Sequence, residues 1–537
     1  MRLSTLAETS FVVGLLCACQ GPSAQMSSTS RQPGQAAPHM PAVWYLDADG
    51  DGYGDPDTST SSDKQPDGWV QLAQDCDDGD PSVHPDSRDW CDDGKDQDCD
   101  GADRACEVLY ATDAEFVIHG ENQGDYFGTY PRPAGDVNGD GIDDLWVGSP
   151  NVAPTNGAIY LFLGDKDGVL AEDDAAANAH GRIIGGNLVS NVGEAFSPVG
   201  DVNGDGYADV LVGDGVFALW SGAAWLYLGP ISGDVDREDA VATFTTTQTD
   251  AELGTAVRGV GDLDGDGLPD LLVTAPDMPG LSNGEGAIFL LPGTLTGEHA
   301  VEREGFRIGD FASYGRLDHG LAASDLDGDG LGDIVVCVSR NTGGLYEYRT
   351  LVFLGPFTSN RDWGDADAEH ELPMADETEV VGDINGDGLD DVLFLNDYGA
   401  VGELQLFTGT DLLEADPFPT AIVLDLDDLV DRGQWASAAG DVDGDGRDDL
   451  LVGFHDTPGL PESTAASLLL GPLTGNIDLN SVDVGFVNTI DGDEACHRAA
   501  GTGDVDHDGV GDLALSCSGD NTSGNGTGSL RIFLGGL

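Results

Sequence analysis

A nine-residue pattern of acidic and amide side chains occurs seven times in this 537-residue chain. It reads D-x-[DN]-x-D-G-x-x-D, and its copies begin at Asp136, Asp201, Asp262, Asp325, Asp383, Asp441 and Asp504. Side-chain oxygens at positions 1, 3, 5 and 9, with the backbone carbonyl at position 7, match the hard oxygen ligands that Ca²⁺ takes in proteins. Glycine at position 6 permits the sharp turn that brings these oxygens together. The pattern therefore predicts seven calcium loops.

The predicted ligands occupy five positions of each loop. In chain order they are Asp136, Asn138, Asp140, Ile142, Asp144, Asp201, Asn203, Asp205, Tyr207, Asp209, Asp262, Asp264, Asp266, Leu268, Asp270, Asp325, Asp327, Asp329, Leu331, Asp333, Asp383, Asn385, Asp387, Leu389, Asp391, Asp441, Asp443, Asp445, Arg447, Asp449, Asp504, Asp506, Asp508, Val510 and Asp512. Position 4 is glycine in six loops and His507 in the seventh, where we expect the imidazole to face solvent.

The residues after each loop exclude an EF-hand, which needs a bidentate Glu at position 12 and a helix on each side. Position 12 is apolar in all seven copies, as at Val147 and Phe394. Each loop runs into a short apolar stretch such as 144–148, which is typical of a buried strand. A second apolar strand follows, as at 157–163, and a weaker third precedes the next loop, as at 181–185. With the strand that enters the loop, each repeat of 58 to 65 residues contains four strands.

Seven such repeats predict an all-β fold, a seven-bladed β-propeller with calcium loops that spans residues 107–537. The last repeat ends at its third strand, 529–534, whereas residues 115–119 have the pattern of a strand that belongs to no repeat. We therefore expect residues 115–119 to supply the fourth strand of the seventh blade, so that both ends of the chain close the ring.

These repeats resemble the FG-GAP, or VCBS-type, repeats of the integrin α-chain propeller. The calcium loops carry the resemblance, and dipeptides such as Phe127-Gly128 and Leu253-Gly254 add to it. The fifth and seventh repeats depart from the dipeptide, since Cys496 stands where the glycine of the seventh would fall. The resemblance implies that the loops lie on one face and stiffen the blades, while partners bind the opposite face.

A small acidic and cysteine-rich segment, residues 44–106, precedes the repeats. It repeats the loop spacing with the candidate ligands Asp47, Asp49, Asp51, Tyr53 and Asp55, and continues with Asp-Cys-Asp-Asp at 75–78 and Asp-Cys-Asp-Gly at 98–101. It resembles the Asp/Cys-rich metal-binding motif of MopE-type bacterial surface proteins. A domain this small lacks a sufficient core, so we expect a loop-rich fold held by calcium and disulfides.

The cysteines leave one alternative open and suggest export. A zinc site is the alternative in the small domain, although the spacing of its four cysteines lacks paired C-x-x-C motifs: Cys76, Cys91, Cys99 and Cys106. In the repeats, Cys496 and Cys517 flank the last loop on strands that should pair, which predicts a disulfide. Cys337 is expected to be a buried thiol.

The amino terminus has the pattern of an export signal. Residues 1–19 contain one basic residue, a short apolar run and the sequence Leu-Cys-Ala-Cys, which resembles a bacterial lipobox ending at Cys19. Residues 20–43 are typical of a flexible linker. We expect a lipoprotein of the bacterial outer membrane or cell surface, attached only through lipidated Cys19; the alternative is cleavage near Ala24 and secretion.

Composition excludes several partners. With 99 acidic and 21 basic residues, the formal net charge is −78. Nucleic acid is therefore no partner, because phosphate binding needs basic surfaces, and an anionic membrane surface is no direct contact. The repulsion among loop carboxylates predicts that Ca²⁺ is needed for stability.

The sequence favours a binding protein over an enzyme. It contains no nucleophile elbow, no H-E-x-x-H motif and no phosphate loop. We expect a monomer that acts in adhesion or recognition of a protein or carbohydrate ligand at the cell surface. The alternatives are a structural or calcium-sequestering envelope protein, and a secreted hydrolase or lyase on a propeller scaffold. Trp363, which lies in a polar stretch, is the expected partner-contacting aromatic residue, ahead of Trp220 and Trp435.

Overall fold

A computed structural model describes the chain in segments that include all seven loops. The described residues are 41–50, 52–79, 83–85, 95–97, 99, 101, 107–122, 124–152, 157–166, 173–174, 179–186, 190–278, 286–309, 316–341, 346–370, 377–396, 403–409, 411–413, 422–425, 435–453, 464–473, 477–478, 484–487, 496, 498–519 and 527–536. The predictions for the export signal, most of the linker, and Asp51 lie outside them. The chain divides into two compact units, Met1–Pro85 and Asp86–Leu537. Among the described residues, no helix is long and apolar enough to cross a membrane.

The described secondary structure is almost entirely strand. The strands up to the third repeat are β1 (Ala42–Leu46), β2 (Asp55–Ser62), β3 (Trp69–Val70), β4 (Glu107–Tyr110), β5 (Phe116–His119), β6 (Tyr130–Gly135), β7 (Asp144–Ser149), β8 (Ala158–Phe162), β9 (Asp173–Asp174), β10 (Gly181–Ile184), β11 (Ala195–Gly200), β12 (Asp209–Asp214), β13 (Ala223–Tyr227), β14 (Gly233–Val235), β15 (Ala242–Thr245), β16 (Val257–Gly259), β17 (Asp270–Ala275), β18 (Ala287–Pro292), β19 (Gly297–Ala300) and β20 (Phe306–Gly309). The remainder are β21 (Arg316–Ser324), β22 (Asp333–Asn341), β23 (Tyr346–Phe353), β24 (Ala368–His370), β25 (Glu377–Gly382), β26 (Asp391–Asn396), β27 (Glu403–Phe407), β28 (Ile422–Asp425), β29 (Trp435–Gly440), β30 (Asp449–Gly453), β31 (Thr464–Leu469), β32 (Ile477–Asp478), β33 (Val484–Val487), β34 (Arg498–Gly503), β35 (Asp512–Cys517) and β36 (Ser529–Phe533). Short helical turns occupy Phe217–Trp220, Val301–Arg303, Trp363–Asp365 and Asp411–Leu413.

The first unit contains one small sheet. Its strand order is β2-β1-β3, with both neighbours antiparallel to β1. The indole Nε1 of Trp44 donates a hydrogen bond of 3.0 Å to the carbonyl of Ser62, which ties the ends of β1 and β2 together.

Each of the seven repeats forms one sheet, numbered here from sheet 1 to sheet 7 in the order of their loops. In every sheet the strand that enters the loop is an edge strand, called here the first strand: β6, β11, β16, β21, β25, β29 and β34. The strand after the loop pairs with it antiparallel, and two further antiparallel strands follow. The expected four-stranded repeat is therefore confirmed.

Five of these sheets carry a fifth strand that the sequence analysis did not anticipate. It pairs parallel to the fourth strand, and in sheets 1 and 2 it comes from the next repeat, as β14 does on β10 and β19 on β15. The N-terminal segment supplies a strand to each of two sheets: β4 lies parallel to β33 as the fifth strand of sheet 6, and β5 lies antiparallel to β36 as the fourth strand of sheet 7. The prediction that residues 115–119 complete the last repeat is confirmed, and β4 adds a second link between the chain ends.

Apolar side chains fill the spaces between consecutive sheets. Trp146 of sheet 1 and Trp225 of sheet 2 belong to one buried cluster. Another cluster joins Leu145 and Phe162 of sheet 1 to Leu530 and Ile532 of sheet 7, so the last sheet packs on the first. The second strands are buried on both faces because each sheet has a neighbour on either side, which explains their unbroken apolar runs. This all-β arrangement fits a β-propeller.

Candidate metal centre

The first Asp of each loop organises the turn. In the third loop, Asp262 accepts the N–H of Gly265 at Oδ1 and that of Gly267 at Oδ2, both at 2.7 Å. Both glycines have positive φ, +83° and +88°, which a side chain disfavours. The same pair of bonds forms at the first residue of the five other loops that have glycine at position 4: Asp136, Asp201, Asp325, Asp383 and Asp441.

His507 replaces the position-4 glycine of the seventh loop and adopts the same left-handed conformation, with φ +61°. Its side chain is exposed, as predicted. Asp504 there still accepts the N–H of Asp508 at 3.0 Å and that of Gly509 at 3.0 Å. The seventh loop therefore keeps the shape of the others, at the cost of a non-glycine residue in a region that L-residues disfavour.

The Asp at position 9 closes each loop from beneath. In the first loop, Asp144 accepts the N–H of Val137 at 2.8 Å on Oδ2 and the N–H of Gly164 at 2.9 Å on Oδ1. Equivalent position-2 bonds reach the six other position-9 carboxylates: Asp209, Asp270, Asp333, Asp391, Asp449 and Asp512. All seven side chains are buried. This residue thus joins the start of its loop to the end of the third strand.

Carboxylate oxygens converge in four of the seven loops. In each of these four loops, three Asp side chains each offer one oxygen, and the three oxygens lie within 4.8 Å of one another. The groups are Asp262, Asp264 and Asp270; Asp325, Asp327 and Asp329; Asp441, Asp443 and Asp449; and Asp504, Asp506 and Asp512. The remaining three loops have an amide at position 3, and there the N–H of Asp140, Asp205 or Asp387 donates to the amide oxygen at 2.8 Å. The structure therefore brings together positions 1, 3 and 9 in three loops and positions 1, 3 and 5 in the fourth loop of the chain, and the full predicted ligand set stays a prediction.

Burial acts strongly on the position-9 carboxyls. Desolvation raises the pKa of Asp144, Asp209 and Asp333 to about 6, and that of Asp270, Asp391, Asp449 and Asp512 to about 7. Neighbouring loop carboxylates raise these pKa values further, whereas the backbone N–H donors lower them. A cation held by the loop would favour the ionised form of every one of these groups.

The donor set fits calcium. Three or four carboxylate or amide oxygens from one short turn, with no sulfur or imidazole among them, are hard ligands that suit Ca²⁺ better than zinc. The mutual repulsion of these oxygens, and the burial of one of them, would both be relieved by a divalent ion.

In the N-terminal unit, the carboxylates that lie close together differ in part from the metal ligands predicted there. Asp47, Asp49 and Asp78 offer oxygens within 4.8 Å of one another. Asp78 was not among the candidates; it also accepts the N–H of Ala48 at 2.9 Å. Asp55 accepts the Thr58 hydroxyl at 2.5 Å and the N–H of Asp57 at 2.8 Å, and these bonds lower its pKa.

Tyr53 of the same loop stacks on His84 at a ring distance of 5.0 Å. Cys76 and Cys99 are each in a disulfide, which supports the disulfide interpretation of this unit over a four-cysteine zinc site. In the repeats, the predicted disulfide between Cys496 and Cys517 is confirmed. The prediction of a buried thiol at Cys337 is also confirmed, and its sulfur lies 3.5 Å from the hydroxyl of Thr350.

Most consecutive loops are hydrogen-bonded to each other. In five of the seven loops the backbone N–H at position 8 donates to the carbonyl at position 1 of the preceding loop, as from Ala208 to Asp136 at 2.9 Å and from Gly511 to Asp441 at 2.7 Å. Asp143 of the first loop donates in the same way to Asp504 of the last, at 3.4 Å. Position 8 of the third loop is Pro269, which has no N–H to donate. These bonds thus link five of the seven pairs of neighbouring sheets at one end of the strands.

The expectation that Trp363 contacts a partner is wrong. Its side chain is 2% exposed, because the short turn Trp363–Asp365 directs the indole inward, where it lies 6.3 Å from the ring of Phe353. Trp435 is also buried. Trp220, the other candidate, is 53% exposed and stands beside Leu219, which is 87% exposed.

The sequence patterns led to no expectation of a central cavity, but the structure contains one. It has a volume of about 400 Å³ and is lined by residues from the first strands of all seven sheets, among them Arg132, Arg258 and Glu379. The sequence does contain a signal for this cavity, namely the residue four places before six of the loops and three places before the loop that begins at Asp325, but the ligand pattern does not include that residue.

Comparisons with known proteins agree with this architecture. An FG-GAP-like repeat family matches residues 262–336, and the FG-GAP repeat family matches residues 133–162 and 433–466. The chain is 33% identical over 167 residues to integrin alpha-IIb of Mus musculus, which covers 29% of this chain and 16% of that protein. It is 26% identical over 275 residues to integrin alpha-V of Gallus gallus, covering 47% of this chain and 25% of that one. It is 36% identical over 170 residues to integrin alpha-PS5 of Drosophila melanogaster, and this match covers 30% of this chain and 16% of that protein.

The chain therefore spans a quarter or less of the length of these relatives. The matches support an FG-GAP, integrin-like repeat protein. Both family matches lie outside residues 44–106, so the resemblance of that segment to MopE-type motifs stays a prediction.

Proposed function

We propose that this chain is a calcium-binding recognition protein of the bacterial cell surface. Residues 107–537 are a closed seven-bladed propeller, preceded by a metal-binding domain at 44–106, a linker at 20–43 and a lipoprotein signal at 1–19. The propeller binds a protein or carbohydrate ligand on the face opposite its calcium loops, and it is not an enzyme.

Three observations support the seven-bladed ring. Seven sheets follow one another, one for each loop, and sheet 7 packs against sheet 1 through a shared apolar cluster. The last and first loops are joined by the bond from Asp143 to Asp504. The first strands of all seven sheets line a common cavity.

Calcium is supported by the chemistry of the loops. In four of the seven loops three carboxylates offer oxygens that lie close together, and the position-9 Asp of every loop is buried. With calcium bound, the loops would stiffen one end of every sheet, and the opposite end would be free to carry the binding residues.

The exposed turn Phe217–Trp220 is the observation that carries the recognition role. It connects β12 to β13, and β12 begins directly after the second calcium loop, so the turn lies at the end of sheet 2 remote from that loop. Ala218, Leu219 and Trp220 all have positive φ, 52°, 61° and 69°. Three consecutive left-handed residues are costly, and strain of this kind is typical of binding sites.

This turn is held rigidly in place. The N–H of Gly222 donates to the carbonyl of Phe217 at 2.9 Å, and the N–H of Glu252 donates to that of Trp220 at 2.9 Å. Phe217 packs edge-on against Trp225 at 5.1 Å, and the Arg237 guanidinium lies 4.6 Å from the Phe217 ring centroid. A rigid base thus presents Leu219 and Trp220 to solvent, which is how aromatic contact residues are displayed in protein interfaces.

The test measures binding of the full chain, with Cys19→Ser to prevent lipidation, to the envelope and exopolysaccharide of the producing cells. We expect saturable binding in millimolar calcium that is lost in EDTA. Trp220→Ala should weaken it by about tenfold or more without lowering the melting temperature, because exposed tryptophans at interface centres dominate affinity.

The matched control is Leu72→Ala, which removes another exposed leucine, 56% exposed, from the N-terminal unit. Leu219→Ala should weaken binding and Leu72→Ala should not. If folded, calcium-loaded protein binds nothing, the recognition role is wrong and a structural or calcium-storing role is favoured. If binding occurs but both leucine variants bind as the parent does, the turn at 217–220 is not the contact.

A further inference from the structure

The first strands present one equivalent residue each to the central cavity. In each sheet this residue pairs with the one that lies ten places after the first Asp of the loop. The seven residues, called here the axial ring, are Arg132, Ser197, Arg258, Ala322, Glu379, Ser437 and Ala500. All seven line the cavity. In sheet 4 the ladder has no bulge next to the loop, so its member lies one residue closer to the loop than in the other sheets.

The charges of the axial ring are unevenly placed. Arg132 and Arg258 come from sheets 1 and 3, with Ser197 of sheet 2 between them, and both line the cavity. Nη1 of Arg258 donates to the carbonyl of Val257 at 3.0 Å. Glu379 of sheet 5 is the acidic member, and its Oε1 lies 4.0 Å from Nη1 of Arg132. This distance is the outer limit of an ion pair, so Glu379 neutralises Arg132 only weakly.

Arg132 keeps unused hydrogen-bonding capacity. Its Nε is buried and has no hydrogen-bond partner, although a buried guanidinium donor without a partner is costly. The guanidinium lies 5.9 Å from the ring centroid of Phe196, which helps to hold its plane in position. A donor left open in this way is available to an acceptor that enters the cavity.

A smaller cavity that shares lining residues with the central one adds aromatic surface and a further positive charge. It is lined by Tyr130, Trp435 and Arg498 as well as by the shared Arg132 and Glu379. The Arg498 guanidinium lies over the Tyr130 ring at 5.2 Å. Among the described residues that line the two cavities, three are arginines and one is acidic. This is the reverse of the chain as a whole, whose net charge is −78.

The rest of the lining leaves room for a small solute. It consists largely of small or apolar residues such as Pro131, Pro198 and Gly501. The hydroxyls of Ser197 and Ser437 donate to the carbonyls of the residues that follow them, at 2.9 Å and 3.2 Å. A volume of about 400 Å³ is in the range of small-molecule sites and suits a monosaccharide.

We infer that the central cavity binds a monosaccharide-sized solute that carries one carboxylate, with the guanidinium groups of Arg132 and Arg258 holding the carboxylate. Arginine is the residue best suited to this role, because its planar donors match the two oxygens of a carboxylate. The negative surface of the chain would repel larger polyanions, whereas a single carboxylate passes at the ionic strength of most media. The inference goes beyond the recognition face and does not depend on it.

The experiment is isothermal titration of the full chain, carrying Cys19→Ser, with sodium D-glucuronate in millimolar calcium. Glucose tests the need for the charge, and acetate tests the need for the sugar ring. We expect glucuronate to bind with a stoichiometry of one and more tightly than either. Failure of glucuronate to bind, or equal binding of glucose or acetate, would overturn the inference.

Substitutions of the basic and the acidic residues of the axial ring should change the affinity for glucuronate in opposite directions. Arg258→Gln and Arg132→Gln should each weaken glucuronate binding by about tenfold or more, because a charge-assisted hydrogen bond is lost. Glu379→Gln should tighten it, because the competing carboxylate is gone and no apolar packing is removed. Arg303→Gln, at an exposed position in the turn Val301–Arg303, is the matched control and should leave affinity unchanged. If Glu379→Gln binds no more tightly than the parent chain, the guanidinium groups do not hold the carboxylate.

Discussion

Replacing Asp449 by Asn tests the double role of the position-9 carboxylate. The side chain is fully buried and accepts the N–H of Val442 at 2.9 Å and that of Gly471 at 2.7 Å on separate oxygens. Asparagine has one acceptor oxygen, so one buried N–H loses its partner, which costs about 1–3 kcal/mol. With calcium at tenfold its Kd, the sixth loop also loses about 1.4 kcal/mol of linkage stabilisation. Asp449→Asn should therefore lower the free energy of unfolding by about 2–4 kcal/mol in calcium.

The loss should be smaller in EDTA for two reasons. No calcium stabilisation remains to be lost, and the neutral amide escapes the penalty for ionising a buried carboxyl, whose pKa burial raises to about 7. The assay is urea unfolding followed by tryptophan fluorescence at pH 7.5, with and without calcium.

The matched control for this prediction is Asp443→Asn. It changes the same loop at position 3, where three other loops already have asparagine: Asn138, Asn203 and Asn385. We expect it to change the free energy of unfolding by less than about 0.5 kcal/mol. Equal losses for Asp443→Asn and Asp449→Asn, or a loss for Asp449→Asn that is the same in EDTA as in calcium, would refute the reasoning.

Three further predictions concern the loops. Chelation of calcium should lower the melting temperature, because each loop loses about 1.4 kcal/mol at a tenfold excess over Kd, and an unchanged melting temperature in EDTA would contradict it. In metal-free protein the raised pKa values of Asp391, Asp449 and Asp512 give stability that is complete below the ordinary value of 3.8 and is lost as the pH rises through about 7. Metal-free protein should therefore melt at a higher temperature at pH 5.5 than at pH 8, and calcium should reverse that order, because protons compete with calcium for these carboxylates; scanning fluorimetry measures both. His507→Gly should stabilise the protein by about 1 kcal/mol in urea unfolding, because it relieves a left-handed residue, and a destabilised variant would show that the imidazole makes a necessary contact.

Local patterns predicted the repeated elements well. Four strands per repeat follow from the loop spacing and from apolar runs, and the pairing of β5 with β36 follows from an unmatched strand at each end of the chain. The fifth strands could not be predicted in this way. Segments such as β14 and β9 are two or three residues long, and they pair with a sheet through backbone bonds that need no particular side chains. Neither periodicity nor length distinguishes them from loops.

The tryptophans show a different limit of the sequence. Trp363 stands among polar neighbours, which suggested exposure, yet its hydrogen-bonded turn directs the ring into the core between sheets 3 and 4. Trp220 lies near the apolar run of β13, and its exposure depends on three successive left-handed residues. Backbone conformation determines both the burial of Trp363 and the exposure of Trp220. Such conformations can be predicted from sequence only where glycine or one of a few polar residues occupies the position.

The calcium loops and the central cavity belong to the same strands, and this links their behaviour. Arg132 and Arg258 each stand four residues before the first Asp of a loop, on a strand that runs directly into it. That Asp also carries the carbonyl that accepts the position-8 N–H of the next loop, as Asp136 does from Ala208. A bound ion would therefore hold the end of the first strand and the spacing between neighbouring sheets at once. The geometry of the axial ring depends on both, so the loops can support the cavity although they contribute little of its lining, as with Gly511.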